Sequence, residues 1–351
     1  MKKITEKLLK SILIIAFFAI YGLSLGCSDI MLANSGSYKI SARTMDFSID
    51  LKSELCLIPR GFEVTSIINE SVKGISFTTQ YGFIGINSLQ QDSFSDGLNE
   101  QGLSCATLWL PGTEYAEPKK NPGKEFISLF DVSTWLLGTC ATVDEAKEAM
   151  KNVLVCGLFI ENIKMIPPVH FVLHDAQGKN LVIEYINGEP NFYDNEFNVT
   201  TNYPNFDWQT INLSNYVNLT NKTPIDNVLK QTGGGAGMLG LPGDVTPPSR
   251  FVRLYFLNRY CAESKTLQDA IANSIHIINN VDVVNGEEAA GGYTQWSVVR
   301  DHGDKVLYFK DYQNLTLRSI DLKKLDFNQK GIKRISITSG SDWFYDVTNT
   351  L

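Results

Sequence analysis

The sequence is poor in the residues that build metal and phosphate sites. Among 351 residues there are only four histidines, and the six cysteines never form a CxxC pair. No GK[ST] phosphate loop occurs, and no block of basic residues remains after the first 26 residues. These absences argue against a zinc ribbon, a nucleoside triphosphate site and a nucleic-acid partner.

Two of the four histidines, His170 and His174, have a spacing that suits a metal ion when it occurs on a helix. They follow Pro167-Pro168 in a segment that we interpret as a strand. Four strand residues span roughly 13 Å, which is too far for two ligands of one ion. The sequence therefore predicts neither a metal nor a cofactor.

Composition is that of an ordinary globular chain, with 43% hydrophobic and 20% charged residues. The formal net charge is −7, and residues 1–26 hold four lysines and one glutamate, so the rest of the chain carries −10. No internal repeat and no low-complexity linker is visible. We expect residues 27–351 to form a single domain.

Residues 1–26 have the organisation of a secretory signal peptide. Lysines precede an almost wholly apolar run from Ile12 to Leu25, and Ser24 and Gly26 are small residues three and one positions before Cys27. The apolar run is shorter than the roughly 20 residues of a membrane span. We expect a bacterial protein exported to the periplasm or secreted, with a mature chain that begins at Cys27.

A mature chain that begins with cysteine has a thiol and a free α-amine on one residue. The thiol can act as a nucleophile and the amine as its base. A second interpretation is a lipoprotein, in which Cys27 is acylated and the protein is an anchored, non-catalytic binding protein. The lipoprotein pattern is poor, because Ser24 stands where a large aliphatic residue is usual.

The other cysteines are Cys56, Cys105, Cys140, Cys156 and Cys261. An exported protein can form disulfides, but five is an odd number, and several of these residues have apolar neighbours. We favour buried free thiols over disulfides.

Hydrophobic patterning predicts strands, then helices, strands, helices and strands. This order indicates an α+β fold of antiparallel sheets flanked by helices, rather than a doubly wound parallel sheet. Thr142 and Glu145 form a capping box that opens a helix. The other predicted segments are strands at 38–47, 55–58, 62–67, 75–87, 103–110, 169–174 and 181–186, helices at 128–137, 249–260 and 267–280, a hairpin at 294–312 around Gly303, and short strands at 315–321 and 334–337.

Gly235 to Gly240 matches GxGxxG, but the prolines that follow it, Pro242, Pro247 and Pro248, disfavour the helix that a dinucleotide site needs. We interpret the segment as a loop.

Four polar residues are candidates for chemistry with Cys27. A regular strand sends Arg43 and Asp46 to opposite faces, so a bend would be needed to place both beside Cys27. There a carboxylate can hold the amine and an arginine can favour the thiolate. Asn202 lies in a polar turn and can donate to an oxyanion. Arg250 begins a helix, and we interpret its neighbour Arg253 as solvated.

Taken together, these segments resemble the choloylglycine hydrolase family, the N-terminal-nucleophile hydrolases that include bile salt hydrolases and penicillin V acylases. The resemblance covers nearly the whole mature chain and depends on the order and spacing of its motifs. The matching residues are Cys27, Arg43, Asp46, 96–103, Thr201-Asn202, 205–207, 240–244, 249–253, Thr294-Gln295-Trp296 and 306–309.

This resemblance implies a four-layer αββα sandwich of two antiparallel sheets between helical layers, often assembled as a homotetramer. It implies that Cys27 is the nucleophile with its own α-amine as base. It also implies that Asp46 orients the amine, Arg43 lies beside the thiol, Asn202 supplies an oxyanion donor and Arg250 supports the charge network. The implied partner is a small-molecule amide.

Trp109 occupies a position that is often Asn in bile salt hydrolases and Tyr in many penicillin V acylases, and whose backbone N–H the family uses for the oxyanion. A tryptophan at this position resembles the Gram-negative penicillin V acylase branch. This resemblance favours penicillin V or an N-acyl-homoserine lactone as the type of substrate. Residues 233–244 are closer to the bile salt hydrolase loop, so a conjugated bile salt is the alternative substrate. Ser28 departs from the Thr that is common after the nucleophile.

Overall fold

The computed structural model describes residues 26–69, 72–161, 164–226, 228, 234–340 and 342–348. The leader predicted for residues 1–26 therefore lies outside the described residues, apart from Gly26. Among the described residues, no helix is both long and apolar enough to cross a bilayer.

Two antiparallel sheets form the centre of the fold. The first has the strand order β14-β1-β2-β15-β16-β17 and the second β13-β12-β11-β8-β7-β6-β3-β18. Two smaller sheets pair β4 with β5 and β9 with β10. The strands are β1 (Cys27–Met31), β2 (Ile40–Phe47), β3 (Glu54–Ile58), β4 (Glu63–Asn69), β5 (Val72–Thr78), β6 (Phe83–Asn87), β7 (Phe94–Asn99), β8 (Ser104–Trp109), β9 (Glu125–Ser128), β10 (Val153–Cys156), β11 (Val169–His174), β12 (Asn180–Ile186), β13 (Glu189–Asp194), β14 (Val199–Thr200), β15 (Tyr293–Asp301), β16 (Val306–Asp311), β17 (Arg318–Asp321) and β18 (Lys333–Ser336).

Helices cover the outer face of each large sheet. They are α1 (Val132–Thr139), α2 (Val143–Asn152), α3 (Phe206–Asn212), α4 (Pro247–Tyr260) and α5 (Leu267–Ile278). Helices α4 and α5 contact the first sheet, whereas α1 lies on β7 and β8 of the second. The layers are thus helix, sheet, sheet and helix, which confirms the αββα sandwich.

Apolar side chains fill the space between each pair of layers. One buried cluster joins the facing sides of the two sheets and continues to α4 and α5, and a second lies between the outer face of the second sheet and α1 and α2. Strand β11 is buried throughout because both of its faces are covered. Its sequence fits this position, since Phe, Val and Leu stand in a continuous apolar run between its two histidines.

Local signals locate the helices well. The Thr142 hydroxyl accepts a hydrogen bond from the backbone N–H of Glu145 at 3.2 Å, and the Glu145 carboxylate accepts one from Ala141 at 2.7 Å. Thr142 therefore caps the start of α2 as the sequence predicted, but the Glu145 side chain bonds the residue before the N-cap, so the reciprocal half of the predicted capping box is not formed. Helix α1 begins later than predicted, because residues 125–128 form β9 instead.

The strand predictions missed β1, β9, β10, β13 and β14 and contain two further errors. The segment predicted as one strand over 75–87 is two strands separated by a turn at 79–82. Strand β7 was not predicted, since Asp96 and Gly97 are poor strand formers. It forms because Gly97 permits close packing: a Cβ at this position would lie 2.5 Å from Leu137 Cδ1 of α1. Tertiary packing thus overrides local propensity in β7.

Candidate active site

Cys27 is the first residue of β1, a strand held between β14 and β2 in the first sheet. Its side chain is 3% exposed and lines a cavity between the two sheets. The Cys27 Sγ lies 3.5 Å from Nη2 of Arg43 and 3.8 Å from Sδ of Met45. The thiol therefore lies beside a buried cation and faces a partly open cavity.

The prediction that a bend separates Arg43 from Asp46 is wrong, because β2 pairs regularly with β1 through this stretch. Cys27 lies opposite Met45, and Asp29 lies opposite Arg43. The two side chains do point to opposite faces, as a regular strand requires. Arg43 extends toward the second sheet, where its Nη1 is 3.0 Å from Asp96 Oδ2.

Asp46 lies on the other face of β2, toward helix α4. Its Oδ1 accepts a hydrogen bond from the Thr294 hydroxyl at 2.6 Å, and its Oδ2 is 3.7 Å from Nη1 of Arg250. Both faces of the strand serve one site, because the Cys27 thiol points inward while its backbone nitrogen lies at the end of β1. A carboxylate and a guanidinium thus flank Cys27 without any distortion of β2.

In a mature chain the backbone nitrogen of Cys27 would be the α-amine, and the contacts of Cys27 and Gly26 show what surrounds it. The Cys27 N–H donates to Oδ1 of Asn202 at 2.7 Å, and the Gly26 carbonyl accepts from the Asp46 N–H at 2.9 Å. A Cβ on Gly26 would lie 3.0 Å from Asp46 Oδ2 and 2.9 Å from Arg250 Nη2. The residue before Cys27 therefore occupies the space that these polar groups surround.

Arg250 joins the backbone of Cys27 to Asn202. Its Nη1 donates to the Cys27 carbonyl at 2.9 Å and to the Ser28 hydroxyl at 2.5 Å, and its Nη2 donates to Asn202 Oδ1 at 2.9 Å. Asn202 thus accepts two hydrogen bonds through Oδ1, which fixes the orientation of its amide group.

The amide nitrogen of Asn202 faces Trp109. Asn202 Nδ2 donates to the Trp109 carbonyl at 2.7 Å, while the next residue, Leu110, donates its N–H to Pro168 of the chain segment before β11. Backbone groups of successive strand residues point to alternate sides. The Trp109 N–H therefore points to the same side as its carbonyl, toward Asn202. The second N–H of Asn202 Nδ2, from the turn after β14, and this backbone N–H of β8 are two donors beside the site.

Burial shifts the pKa of the charged groups around Cys27. Burial raises the pKa of Asp46 to about 6, against the opposing influence of Arg250 and the Thr294 hydroxyl. Burial also lowers the pKa of Arg250. Burial works to lower the pKa of Arg43 as well, but the Cys27 and Asp96 charges outweigh it and leave that pKa raised. Arg43 is thus a permanent cation at the thiol.

The pKa of Asp46 predicts how pH affects the stability of a chain that retains Gly26. A carboxyl whose pKa is about 6 when folded and 3.8 in its reference state binds more protons in the folded protein, so its contribution to stability is lost as pH rises from about 4 to about 6. The full effect is about 3 kcal/mol. We expect the free energy of unfolding of the Asp46 chain, relative to Asp46→Asn, to fall over this range.

Urea unfolding of both chains at pH 4, 5 and 6 measures this difference in the free energy of unfolding. The contributions of other titrating groups are common to both chains and largely cancel. A relative stability that rises with pH would contradict the pKa shift. Gly26 is retained in both chains because a free α-ammonium beside Asp46 would lower the pKa of its carboxyl.

The cavity that reaches Cys27 has a volume of about 510 Å³, within the usual range for small-molecule sites. Most of its wall is apolar or aromatic, and Phe47 and Trp109 meet edge to face with ring centroids 6.0 Å apart. Polar residues such as Asp50 and Lys52 also belong to its lining. The apolar residues of the wall are Met45, Phe47, Ile49, Leu51, Leu89, Phe94, Trp109, Leu129, Phe130, Ile160, Pro167 and Val169.

Several other sequence interpretations can be compared with the structure. Arg253, interpreted as solvated, is 7% exposed and donates to the carbonyls of Pro242, Asp244 and Asn280, so that interpretation is wrong. It was missed because the loop before α4 folds back over this side chain. All six cysteines are free thiols, as their apolar surroundings indicated. The described part of 235–240 contains only a short 3₁₀ turn, as expected of a loop.

The histidines interpreted as unsuited to a metal have other partners. His170 Nδ1 lies 3.3 Å from Glu184 Oε1, and His174 Nε2 lies 2.5 Å from Asp29 Oδ1. Within the part of the chain that the structure describes, no three His, Cys, Asp or Glu side chains are grouped to hold a metal ion.

The charged groups behind Arg43 were not predicted from the sequence. Asp96 belongs to a matching motif but received no role, and Arg300 lies in a strand predicted from its apolar residues. Both are completely buried and form an ion pair. The available signal was an arginine among the apolar residues of a buried strand, Ser297 to Asp301, because a charge is almost never fully buried unless it is paired.

Comparison with known proteins agrees with this geometry. A family described as "Linear amide C-N hydrolases, choloylglycine hydrolase family" matches residues 27–335. The bile salt hydrolase/transferase of Clostridium perfringens is 32% identical over 88% of this chain and 95% of its own length. The penicillin V acylase of Pectobacterium atrosepticum is 27% identical over 88% of this chain and 84% of its own. These identities do not favour the penicillin V acylase branch suggested by Trp109.

Solved structures show the same fold. A variant of the conjugated bile acid hydrolase from C. perfringens has a TM-score of 0.78 at 30% identity, covering 88% of this chain and 97% of that one. The penicillin V acylase from Agrobacterium tumefaciens has a TM-score of 0.73 at 26% identity, covering 88% of this chain and 91% of that one. The chain therefore belongs to the choloylglycine hydrolase family of linear amide C–N hydrolases.

Proposed function

We propose that the mature protein cleaves an amide that joins an apolar acyl group to a polar amine, with Cys27 as its N-terminal nucleophile. The observation that carries this proposal is the position of the Cys27 thiol. It borders a largely apolar cavity of about 510 Å³, while its backbone nitrogen donates to Asn202 and the residue before it lies against Arg250 and Asp46. The acyl group would occupy the cavity, and its carbonyl would meet the thiol at the inner end.

The first half of the reaction forms a thioester. The α-amine of Cys27 takes the thiol proton, and the sulfur attacks the substrate carbonyl. The Asn202 side-chain N–H and the Trp109 backbone N–H stabilise the negative charge on the oxygen. The C–N bond then breaks, and the leaving amine receives the proton from the α-ammonium of Cys27.

Water completes the reaction. It attacks the thioester while the α-amine of Cys27 accepts a proton from it, and the thiol regains its proton as the carboxylic acid leaves. Asp46 and Asn202 Oδ1 hold the amine in place through both steps. Arg43 stabilises the thiolate, because it is a buried cation 3.5 Å from the sulfur.

The aromatic wall favours penicillin V or an N-acyl-homoserine lactone as the type of substrate. Phe47 and Trp109 offer an edge and a face to a flat or flexible apolar group such as phenoxyacetyl or a fatty acyl chain. A conjugated bile salt is the second candidate. Its support is the C. perfringens bile salt hydrolase/transferase and a relative with the same name from Lactiplantibacillus plantarum, 30% identical over 84% of this chain.

One experiment tests the reaction and ranks the substrates. A chain that begins at Cys27 is incubated with penicillin V, an N-acyl-homoserine lactone and a glycine-conjugated bile salt, and kcat/KM is measured from the amine released. Each reaction is also quenched early for mass spectrometry of the N-terminal peptide. We expect acyl adducts on Cys27 and the highest kcat/KM for one of the first two substrates. Turnover without an adduct on Cys27, or no turnover of any of the three, would contradict the proposal.

A further inference from the structure

A set of buried charges extends from the Cys27 thiol away from the substrate cavity. Arg43, Asp96, Arg300 and Asp29 have side chains no more than 1% exposed, and each forms an ion pair with the next. Apart from Arg43, these residues carry no role in the reaction proposed above. None of the four belongs to the lining of the cavity that reaches Cys27.

Asp96 is shared by two guanidinium groups. Arg43 donates to its Oδ2 at 3.0 Å, while Arg300 grips both oxygens, with Nε donating to Oδ1 at 2.9 Å and Nη2 donating to Oδ2. A two-point grip of this kind fixes the plane of a carboxylate. The orientation of Asp96 therefore depends on Arg300. Asp96 in turn positions Arg43, together with the carbonyls of Ser95 and Thr107, which accept hydrogen bonds from its Nη1 and Nη2.

The other side of Arg300 is held as firmly. Its Nη1 donates to the Ser41 hydroxyl at 2.9 Å and to Asp29 Oδ2 at 3.2 Å, and Asp29 also meets His174. His302 contacts the same Ser41 hydroxyl at 2.8 Å, and burial lowers the pKa of its imidazole to about 3, so it is neutral. Arg300 is thus fixed from both ends and has no freedom to follow Asp96.

Such a cluster is costly as a stabilising device. Moving a charge out of water is unfavourable, and apolar side chains of similar size often give equal or greater stability. The two arginines and two aspartates balance one another in charge, so a thiolate at Cys27 adds one negative charge to a neutral set. The charged groups that surround the thiol are Arg43 and Asp96 on one side and Arg250 and Asp46 on the other.

We propose that Arg300 is a positioning residue for the amide hydrolysis: through Asp96 it holds Arg43 against the Cys27 sulfur, where the Arg43 cation favours the thiolate. Without Arg300, the full negative charge of Asp96 acts on Arg43 and draws it from the sulfur. One positive charge is also lost from the neighbourhood of the thiolate. Both effects act in the same direction, so the thiolate becomes less stable. This inference rests on the proposed role of Cys27.

The test is the pH dependence of thiol alkylation in chains that begin at Cys27. Alkylation of Cys27 by iodoacetamide is followed by mass spectrometry in the unsubstituted enzyme, Arg300→Gln and Arg300→Lys. For Arg300→Gln we expect the midpoint of the alkylation rate to rise by about one pH unit, which corresponds to a tenfold loss of thiolate below the midpoint. We expect kcat to fall by about tenfold with KM unchanged, because Arg300 does not line the cavity.

Arg300→Lys keeps the charge but loses the two-point grip. We expect its alkylation midpoint to lie between those of the unsubstituted enzyme and Arg300→Gln. We also expect Arg300→Lys to be folded if Arg300→Gln is not. Arg318→Gln is the matched control, since Arg318 is ion-paired to Asp311 at 2.6 Å at the edge of the same sheet. A folded Arg300 variant with an unchanged midpoint and kcat would overturn the proposal, as would an equal shift in Arg318→Gln. If the unsubstituted enzyme itself showed no turnover, the proposed function would be refuted instead.

Discussion

Replacing Cys27 by alanine in the mature chain is expected to reduce kcat for amide hydrolysis by at least about 10⁴-fold, the scale seen when a covalent nucleophile is removed. The reason is that the remaining groups, Asn202, the Trp109 N–H and the α-amine, can bind and polarise the carbonyl but form no thioester. The substitution removes one sulfur at the edge of the cavity, so the fold should persist. Turnover is measured as amine release from the best substrate of the panel.

Two further variants define the cause of the loss. Cys261→Ala is the control, because Cys261 is also a free thiol but lies outside the cavity that reaches Cys27. We expect it to keep full activity. Cys27→Ser retains the shape of the side chain but replaces the thiol by a hydroxyl, which is a much weaker acid, so we expect a severe loss that stops short of that of alanine. Amide cleavage by Cys27→Ala at the unsubstituted rate would refute the covalent mechanism.

The sequence predicted the residues of this site better than their geometry. Cys27, Arg43, Asp46, Asn202 and Arg250 were predicted from an expected leader, from short motifs and from family resemblance, and the structure brings all five together. Their arrangement was predicted wrongly in one respect, because a bend seemed necessary. A regular strand suffices, since Cys27 presents its thiol to one face of β2 and its nitrogen to the other side.

Groups that depend on long-range contacts were not predictable. Arg300 and Asp96 are 204 residues apart in sequence and belong to different sheets. Nothing local to either residue indicates the other. Strand β7 was missed for the same reason, because its Asp96-Gly97 sequence is stabilised by α1 and by neighbouring strands rather than by its own propensity. N-cap signals and apolar periodicity, which are local, gave four of the five helices within a few residues, whereas the start of α3 was interpreted as a polar turn.

A chain that begins at Gly26 instead of Cys27 is expected to lose at least about 10²-fold in kcat, the contribution typical of a general base. One added residue converts the basic α-amine into an amide nitrogen, which cannot accept the thiol proton. Gly26 also fills the space beside Asp46 and Arg250. A Cβ added to Gly26 would lie only 3.0 Å from the Asp46 carboxylate. The thiol and the cavity are unchanged, so KM should change less than kcat.

The comparison of the two chains tests whether removal of the leader activates the enzyme. Iodoacetamide labelling of Cys27 in both chains checks that the thiol is present and reachable, and intact masses before and after the assay identify any chain that has lost Gly26. Equal kcat for an intact Gly26 chain would contradict a role for the α-amine. The mass of the mature protein from its native cell decides the remaining alternative. An unmodified N-terminal cysteine supports a hydrolase that export itself activates, whereas a diacylglyceryl group on the sulfur would block the nucleophile and support an anchored binding protein.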